Sequence, residues 1–341
     1  MNNLVQTLEP TWTIQDATKL QEYMSCPRSY FFNYVLGWRQ EEPNVHLIFG
    51  EATHKAMEVL LKHSRETGEP ACEGYTVDAV MEAQVAFEKV YRKSFSPDTD
   101  DLRQPKNQHC FNRMLNMYVQ QYRHLDDFKV RFIEVAGAVE LDDKYTLHYR
   151  SDAICESPDG EIFSLEHKTA SNFNRQWTDQ WTQKMQIGVY SHVLYCYFDP
   201  SIVFGVKING MIPHAGPKLK NDGTPYANAG DCAFIRVPIR KTTNQMEDWY
   251  YTARHWLVEL NKDFELLYEA HEEDYVLDCF HKNTESCTKY FGCPFKDFCN
   301  SWNNPLQHLD RLPVGFKVEH WNPLSLVSES ATKIDISSPG D

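Results

Sequence analysis

Through the first 125 or so residues, apolar positions recur every three or four residues, which predicts helices. "DATKLQEYM" places Asp16 near an N-cap, and "SCPRSYFFNYVLGWR" offers Ser25 as a cap with Pro27 at the first helical position. "GEATHKAMEVLLKHSRETG" reads as an amphipathic helix closed by Gly68, and residues 77–93 and roughly 108–125 repeat the pattern across the loop "SFSPDTDDLRQPKNQ". After residue 130 the period falls to two. "RFIEVAGAVEL", "YTLHYRSDAIC" and "EIFSLEHKT" are strand patterns. "TDQWTQKMQIGVYSHVLYCYF" returns to helix, "SIVFGVKINGMI" and "CAFIRVPIR" to strand, and "NQMEDWYYTARHWLVELNKDFELLYEAHEE" is a long helix that runs into a Cys-rich loop. Helices, three strands, a helix, two strands and a helix predict an α/β core sheet with helical additions.

The expected organisation is one domain over residues 1–313, with a helical insertion at about 66–128 and a sheet core at about 130–240. A long helix and Cys-rich segment follow at about 242–300, and a weakly ordered tail over 314–341. The 341 residues and 42% apolar content suit an ordinary globular core. "MNNLVQTLEPTW" lacks a basic segment followed by an apolar run, and no apolar stretch of about 18 residues occurs, so the expected location is cytoplasmic, away from membranes. A net charge of −14 argues against a general cationic coat for nucleic acid, leaves room for a local basic groove and suits bound cations. Ten cysteines without signs of export read as core thiols or metal ligands.

"YRSDAICESPDGEIFSLEHKTAS" carries the chemistry. "SPDG" between two strand patterns predicts a tight turn, and a turn centred near Pro158–Asp159 brings Asp152 opposite Glu166 to within about one position. Residues so opposed have Cβ atoms roughly 4.5–5.5 Å apart. Two carboxylates that close repel unless one is protonated or a cation lies between them, and a hard divalent cation is the natural partner. Lys168, two residues from Glu166, shares its face and adds positive charge for an anionic substrate. A solvated hairpin of alternating charges is the competing reading of this motif by itself.

Asp152 followed by Glu166–x–Lys168 across a hairpin resembles the signature of the PD-(D/E)XK nuclease superfamily, with Ser151 where the motif usually has proline. Further elements resemble its RecB-like branch: His54 in "GEATHKAME", and Gln186 with Tyr190 in "QIGVY", spaced i, i+4 on one helix face. The resemblance spans roughly residues 20–300 and implies a restriction-endonuclease-like central mixed sheet flanked by helices, with helical N-terminal additions and a Cys-rich C-terminal clasp. It implies divalent-metal hydrolysis of phosphodiesters, with His54, Asp152, Glu166 and the His167 backbone carbonyl as ligands for Mg²⁺ or Mn²⁺. Lys168 would orient or stabilise the attacking oxygen, and Gln186 and Tyr190 would position the lysine or the DNA backbone.

"ESCTKYFGCPFKDFC" spaces Cys287, Cys293 and Cys299 as Cys-x5-Cys-x5-Cys, which reads as metal ligation in need of a fourth ligand. The spacing is wider than usual for zinc and mildly favours a cluster, while zinc stays an alternative. In iron–sulfur nucleases of the AddAB type and the CRISPR-adaptation type, one cysteine precedes the nuclease motifs and three follow. The resemblance therefore implies Cys26 as the fourth ligand of a 4Fe-4S cluster; Cys279 is a rival. Cys155, Cys196 and Cys232 read as buried small apolar groups, and Cys72 and Cys110 have no assigned place.

Arg175, Trp177, Trp181 and Lys184 interleave cations and rings as single-strand binding would use them, and "RVPIRK" adds Arg236, Arg240 and Lys241. Core packing of Trp177 and Trp181 is the other reading. No Gly-x4-Gly-Lys-Ser/Thr element occurs, so unwinding would need a helicase or recombination partner or frayed ends. The expectation is a deoxyribonuclease that degrades DNA from its ends and prefers single strands, acting in recombination, repair or phage and mobile-element DNA processing. A structure-selective or site-specific endonuclease and a catalytically silent DNA-binding module are the alternatives.

Overall fold

The computed structural model describes residues 10–216, 220–224, 230–289 and 292–323. In chain order the helices are α1 (Ala17–Ser25), α2 (Pro27–Tyr30), α3 (Val45–Thr67), α4 (Val77–Tyr91), α5 (Gln108–Tyr122), α6 (Arg175–Asp179), α7 (Met185–Tyr197), α8 (Thr243–Glu269) and α9 (Lys296–Ser301). The strands are β1 (Trp38–Gln40), β2 (Lys129–Glu140), β3 (Thr146–Glu156), β4 (Ile162–Thr169), β5 (Val203–Ile212), β6 (Ala233–Ile239) and β7 (Phe316–Val318). Where the sequence suggests one domain over 1–313, the chain forms two compact units, one of residues 43–136 and 150–241, the other of described residues within 1–42, 137–149 and 242–323.

Strands β2 to β6 form one mixed sheet in the order β2-β3-β4-β5-β6. β3 and β4 run antiparallel, β4 and β5 parallel, and β5 and β6 antiparallel. The parallel β4–β5 step needs a crossover, and α6 and α7 supply it. The result is an α/β fold with a five-stranded mixed sheet flanked by helices.

In the first unit α3, α4 and α5 pack through the apolar faces their sequences display. Phe87 stacks on Phe111 with ring centroids 3.8 Å apart, and Phe49 meets both edge-on. α3 begins ahead of the expected "GEATH" start because the Asn44 side chain accepts from the His46 and Leu47 amides; Gly68, with φ 67°, ends it as expected. The helix expected over "TDQWTQKMQIGVYSHVLYCYF" is broken: α6 passes into a 3₁₀ turn over Gln180–Gln183, and Lys184 is extended before α7.

The second unit has an aromatic core that includes Tyr30, Phe31, Phe32, Phe264 and Phe280. Asp16 caps α1 by accepting from the Thr18 and Lys19 amides. Cys26, not Ser25, is the N-cap of α2, since Ser25 still closes α1; Pro27 holds the first position as expected. β7 pairs antiparallel with β1, within the segment expected to be a weakly ordered tail. The remainder of that segment, from 324, lies outside the described residues, as do residues 1–9.

Candidate active site

The β3–β4 hairpin closes at Ser157–Gly160, where the Gly160 amide donates to the Ser157 carbonyl at 2.9 Å and Gly160 takes φ 83°. Paired residues run from Glu156 opposite Ile162 to Ala153 opposite Leu165. The next step along this register is Asp152 with Glu166. There the carboxylates take over as acceptors of backbone bonds. Asp152 Oδ2 accepts from the His167 amide at 2.8 Å, and Glu166 Oε1 lies 3.4 Å from the Asp152 amide. Glu166 Oε1 also accepts from the Ser151 and Ser164 hydroxyls at 3.0 and 2.8 Å. Both carboxylates are buried. Ser151, where the motif usually has proline, thus adds a donor to the site.

α3 delivers His54, whose Nδ1 lies 3.0 Å from Asp152 Oδ1. Lys168 Nζ lies 4.0 Å from Glu166 Oε2 and keeps partial access to solvent. Burial opposes charge on Asp152, but His54, His167 and Lys168 together outweigh it and hold Asp152 below the usual carboxylate range. Burial and the neighbouring Asp152 push Glu166 above that range. Burial pushes His167 down to about 3, so its ring is neutral. The pair therefore holds one firm negative charge and one carboxyl that favours its proton until a cation compensates it.

Gln186 and Tyr190 sit one turn apart on α7, with Gln186 Nε2 donating to the Tyr190 hydroxyl at 2.8 Å. The hydroxyl donates in turn to the Arg150 carbonyl at 2.6 Å. This bond runs to β3, two residues before Asp152, and ties α7 to that strand. Sequence reasoning missed a third acid. Glu134 on β2 has φ 50°, is 4% exposed, and lies with Oε2 3.3 Å from Arg150 Nε. Burial and then Asp152 push it up to about 7. A left-handed residue inside a strand turns its side chain out of the period-two pattern, so only a charged residue amid "FIEV" hinted at it.

The candidate DNA contacts divide. Arg175 is exposed and pairs with Asp179 at 3.1 Å. Lys184 is half-buried, and burial and then Lys168 lower it. Trp181 is buried against Trp177, and Trp177 packs toward Gly210. Arg236 is not a groove cation: it donates to both Asp126 carboxylate oxygens, at 3.0 and 2.8 Å, because β6 turns it inward onto a carboxylate 110 residues earlier. A Cβ on Gly210 would lie 2.6 Å from Trp177 Cη2 and 2.8 Å from Ile235 Cγ2. Gly210→Ala should therefore lower stability by about 1–3 kcal/mol, read by urea unfolding; an unchanged midpoint would show that Trp177 yields freely.

In the other unit, Cys26 precedes Pro27, Cys287 and Cys293 lie in the loop after α8, and Cys299 is on α9. The Cys293 amide donates to the Cys287 carbonyl at 3.0 Å, and the Asn283 amide lies 3.4 Å from Cys26 Sγ. Burial raises the Cys293 thiol, and Cys26, Cys287 and Cys299 raise it further. Cys155 and Cys232 are buried as expected, but Cys196 is exposed, on an outward position of α7, and Cys110 is buried. Among the described residues, no three His, Cys, Asp or Glu side chains converge as a ready-made metal-holding group, around Asp152 or around these cysteines. No described helix is long and apolar enough to cross a membrane.

The mixed sheet carries Asp152 on β3 and Glu166 and Lys168 on the neighbouring β4. The sequence matches the family model described as PD-(D/E)XK nuclease superfamily over residues 17–300, and the chain belongs to that superfamily. The match runs through both compact units. Its members are typically metal-dependent nucleases that use Mg²⁺ or Mn²⁺ and act on DNA. No curated protein matches the chain. Among solved structures the chain is similar to one titled "Crystal structure of SSO0001", at 14% identity and a TM-score of 0.26, covering 62% of this chain and 91% of that one. That likeness is too distant to bear on function.

Proposed function

We infer that the protein is a divalent-metal-dependent deoxyribonuclease that degrades DNA from its ends, with single strands preferred. The observation that carries the hydrolytic reading is the buried Asp152–Glu166 pair with His54 at 3.0 Å and Lys168 at 4.0 Å. The donor set fits a hard cation. Asp152 and Glu166 are paired on the hairpin and His54 meets Asp152, donor types that suit a hard cation drawing them to one point, and burial and then Asp152 make Glu166 favour its proton. His54, Asp152, Glu166 and the His167 carbonyl would hold Mg²⁺ or Mn²⁺. A bound cation lowers the pKa of water and offsets charge on the phosphate.

The chain's own residues do the rest. The His167 amide fixes Asp152. Gln186 and Tyr190 hold β3 through the Arg150 carbonyl. The Lys168 ammonium reaches the attacking oxygen or the phosphate. Arg175 and Lys184, with Trp177 at the rim, are the proposed strand contacts, while the burial of Trp181 supports packing rather than stacking. Cys26, Cys287, Cys293 and Cys299 are proposed to hold a 4Fe-4S cluster. The shared neighbourhood of their thiols supports this, and so does Arg28, buried close to Cys26 and Cys299 with its Nη1 lacking a hydrogen-bond partner.

The deciding experiment compares linear single-stranded, linear duplex and closed circular DNA with Mn²⁺ or Mg²⁺. Loss of linear strands alone is expected, with single strands the faster. EDTA should stop all cleavage. Cutting of the circle would move the protein to the endonuclease reading, and cleavage that ignores EDTA would refute the metal mechanism.

A further inference from the structure

Behind the site, three polar residues stand in register across the sheet. His167 on β4 is opposite Asn209 on β5, and Asn209 is opposite Arg236 on β6. Directly opposed residues share a face, and His167 alternates with Glu166 and Lys168, so this ladder occupies the other side of the sheet from them. The side chains are linked. Asn209 Nδ2 lies 2.7 Å from His167 Nδ1 and 3.2 Å from the Tyr118 hydroxyl. Arg236 Nη2 donates to that hydroxyl at 2.6 Å and to Asp126, which also accepts from the Tyr75 hydroxyl at 2.5 Å. His167 and Asn209 are 1% and 0% exposed.

Burying a charged pair and an amide among aromatic rings gives little net stability, since apolar residues of the same volume serve a core as well. What such a network does supply is fixed orientation. His167 is where orientation matters. Its amide holds Asp152 Oδ2 at 2.8 Å, and its carbonyl is a proposed cation ligand. Its Nε2 has no hydrogen-bond partner, so the link to Asn209 is the hydrogen bond that sets the ring. The ring also stands edge-on to His54, with centroids 6.3 Å apart.

We propose that Asn209 is a positioning residue. Backed by Tyr118, Arg236 and Asp126, it locks the His167 side chain and thereby holds the residue-167 backbone where Asp152 and the cation need it. The proposal rests on the metal-nuclease reading above. Outer partners of this kind typically change metal affinity or activity 10–100-fold.

The test is Mn²⁺ binding by calorimetry without DNA, on the full chain, for wild type, Asn209→Leu and Tyr118→Phe. Thermal unfolding and steady-state cleavage are run alongside. Asn209→Leu should weaken Mn²⁺ by about 10–100-fold and lower kcat while the KM for DNA stays unchanged, with a smaller effect in the same direction for Tyr118→Phe. A folded Asn209→Leu protein with wild-type Mn²⁺ affinity and kcat, whatever its melting temperature, would overturn the proposal. If Asn209→Leu does not fold, wild-type affinity in Tyr118→Phe overturns it instead. A wild type that binds no Mn²⁺ would remove the nuclease reading together with this inference; binding that persists in both variants removes the inference alone.

Discussion

Lys168→Ala should yield a folded protein that has lost cleavage, with kcat lower by at least about 10²–10³-fold, the usual cost of removing one preorganised electrostatic contact. Lys168 is partly exposed and approaches Glu166 only to 4.0 Å, so its loss removes little packing. Glu166→Gln should also abolish cleavage, but with the opposite sign on stability. Glu166 is buried beside Asp152 and its pKa is raised, so its ionised form destabilises the metal-free fold. For a carboxyl with a raised folded value, the penalty is absent below the ordinary range near about 4.3. It grows as pH rises from there through the raised value. Glu166→Gln removes that penalty, so the metal-free variant should melt above wild type at neutral pH, and the gap should close toward pH 4. Each kcal/mol relieved is worth roughly 2–4 °C in a domain of about 150–250 residues. Differential scanning calorimetry in EDTA at several pH values measures this, with cleavage assays alongside. Full activity in either variant would sink the site assignment, and a Glu166→Gln protein that melts lower at neutral pH would show that the Ser151 and Ser164 bonds outweigh the repulsion.

The hairpin was legible because its information is local. A turn sequence and a period-two pattern fix which residues oppose one another, so Asp152 and Glu166 fall together without knowledge of the rest of the chain. His54 needs more, since it reaches Asp152 from a helix 98 residues earlier in sequence, and only the family resemblance linked the two. Glu134 was hidden because a left-handed residue breaks the alternation on which strand reading depends. Arg236 was misread for a related reason. In "RVPIR" it looks like surface charge, and the carboxylate that buries it lies on no neighbouring segment. Cys196 shows the limit on α7. Apolar residues surround it in the sequence, and burial on the two sides of such a helix cannot be told apart by composition. Cys196 apart, the residues that escaped sequence reading are those whose partners are far along the chain or whose backbone departs from a regular period.

Cys293→Ala should cost the protein its proposed cluster: iron and sulfide content and the broad visible absorption of an anaerobic preparation should disappear together. The argument starts from the thiols. Burial raises Cys293 and Cys299, and each is raised further by the other cysteines, so without metal they favour the protonated form. Binding must release those protons, which couples ligand loss to folding of the surrounding segment. Gly292, at φ 101°, bends the chain just before Cys293, and the Cys293 amide closes back on the Cys287 carbonyl. Cys293 therefore sits at the turn that brings the two together, and its removal would take away a proposed ligand while leaving that backbone bond in place. Arg28 would supply the charge to match the proposed cluster. Its Nε and Nη2 bond the Phe280 and Leu277 carbonyls, leaving Nη1 for an anionic group near Cys26 and Cys299. Four thiolates around iron are such a group. The melting temperature of Cys293→Ala should fall with the iron. A colourless wild type that carries stoichiometric zinc after anaerobic purification would retire the cluster and leave a zinc staple, and a variant with undiminished iron would remove Cys293 from the ligand set and bring Cys279 forward in its place.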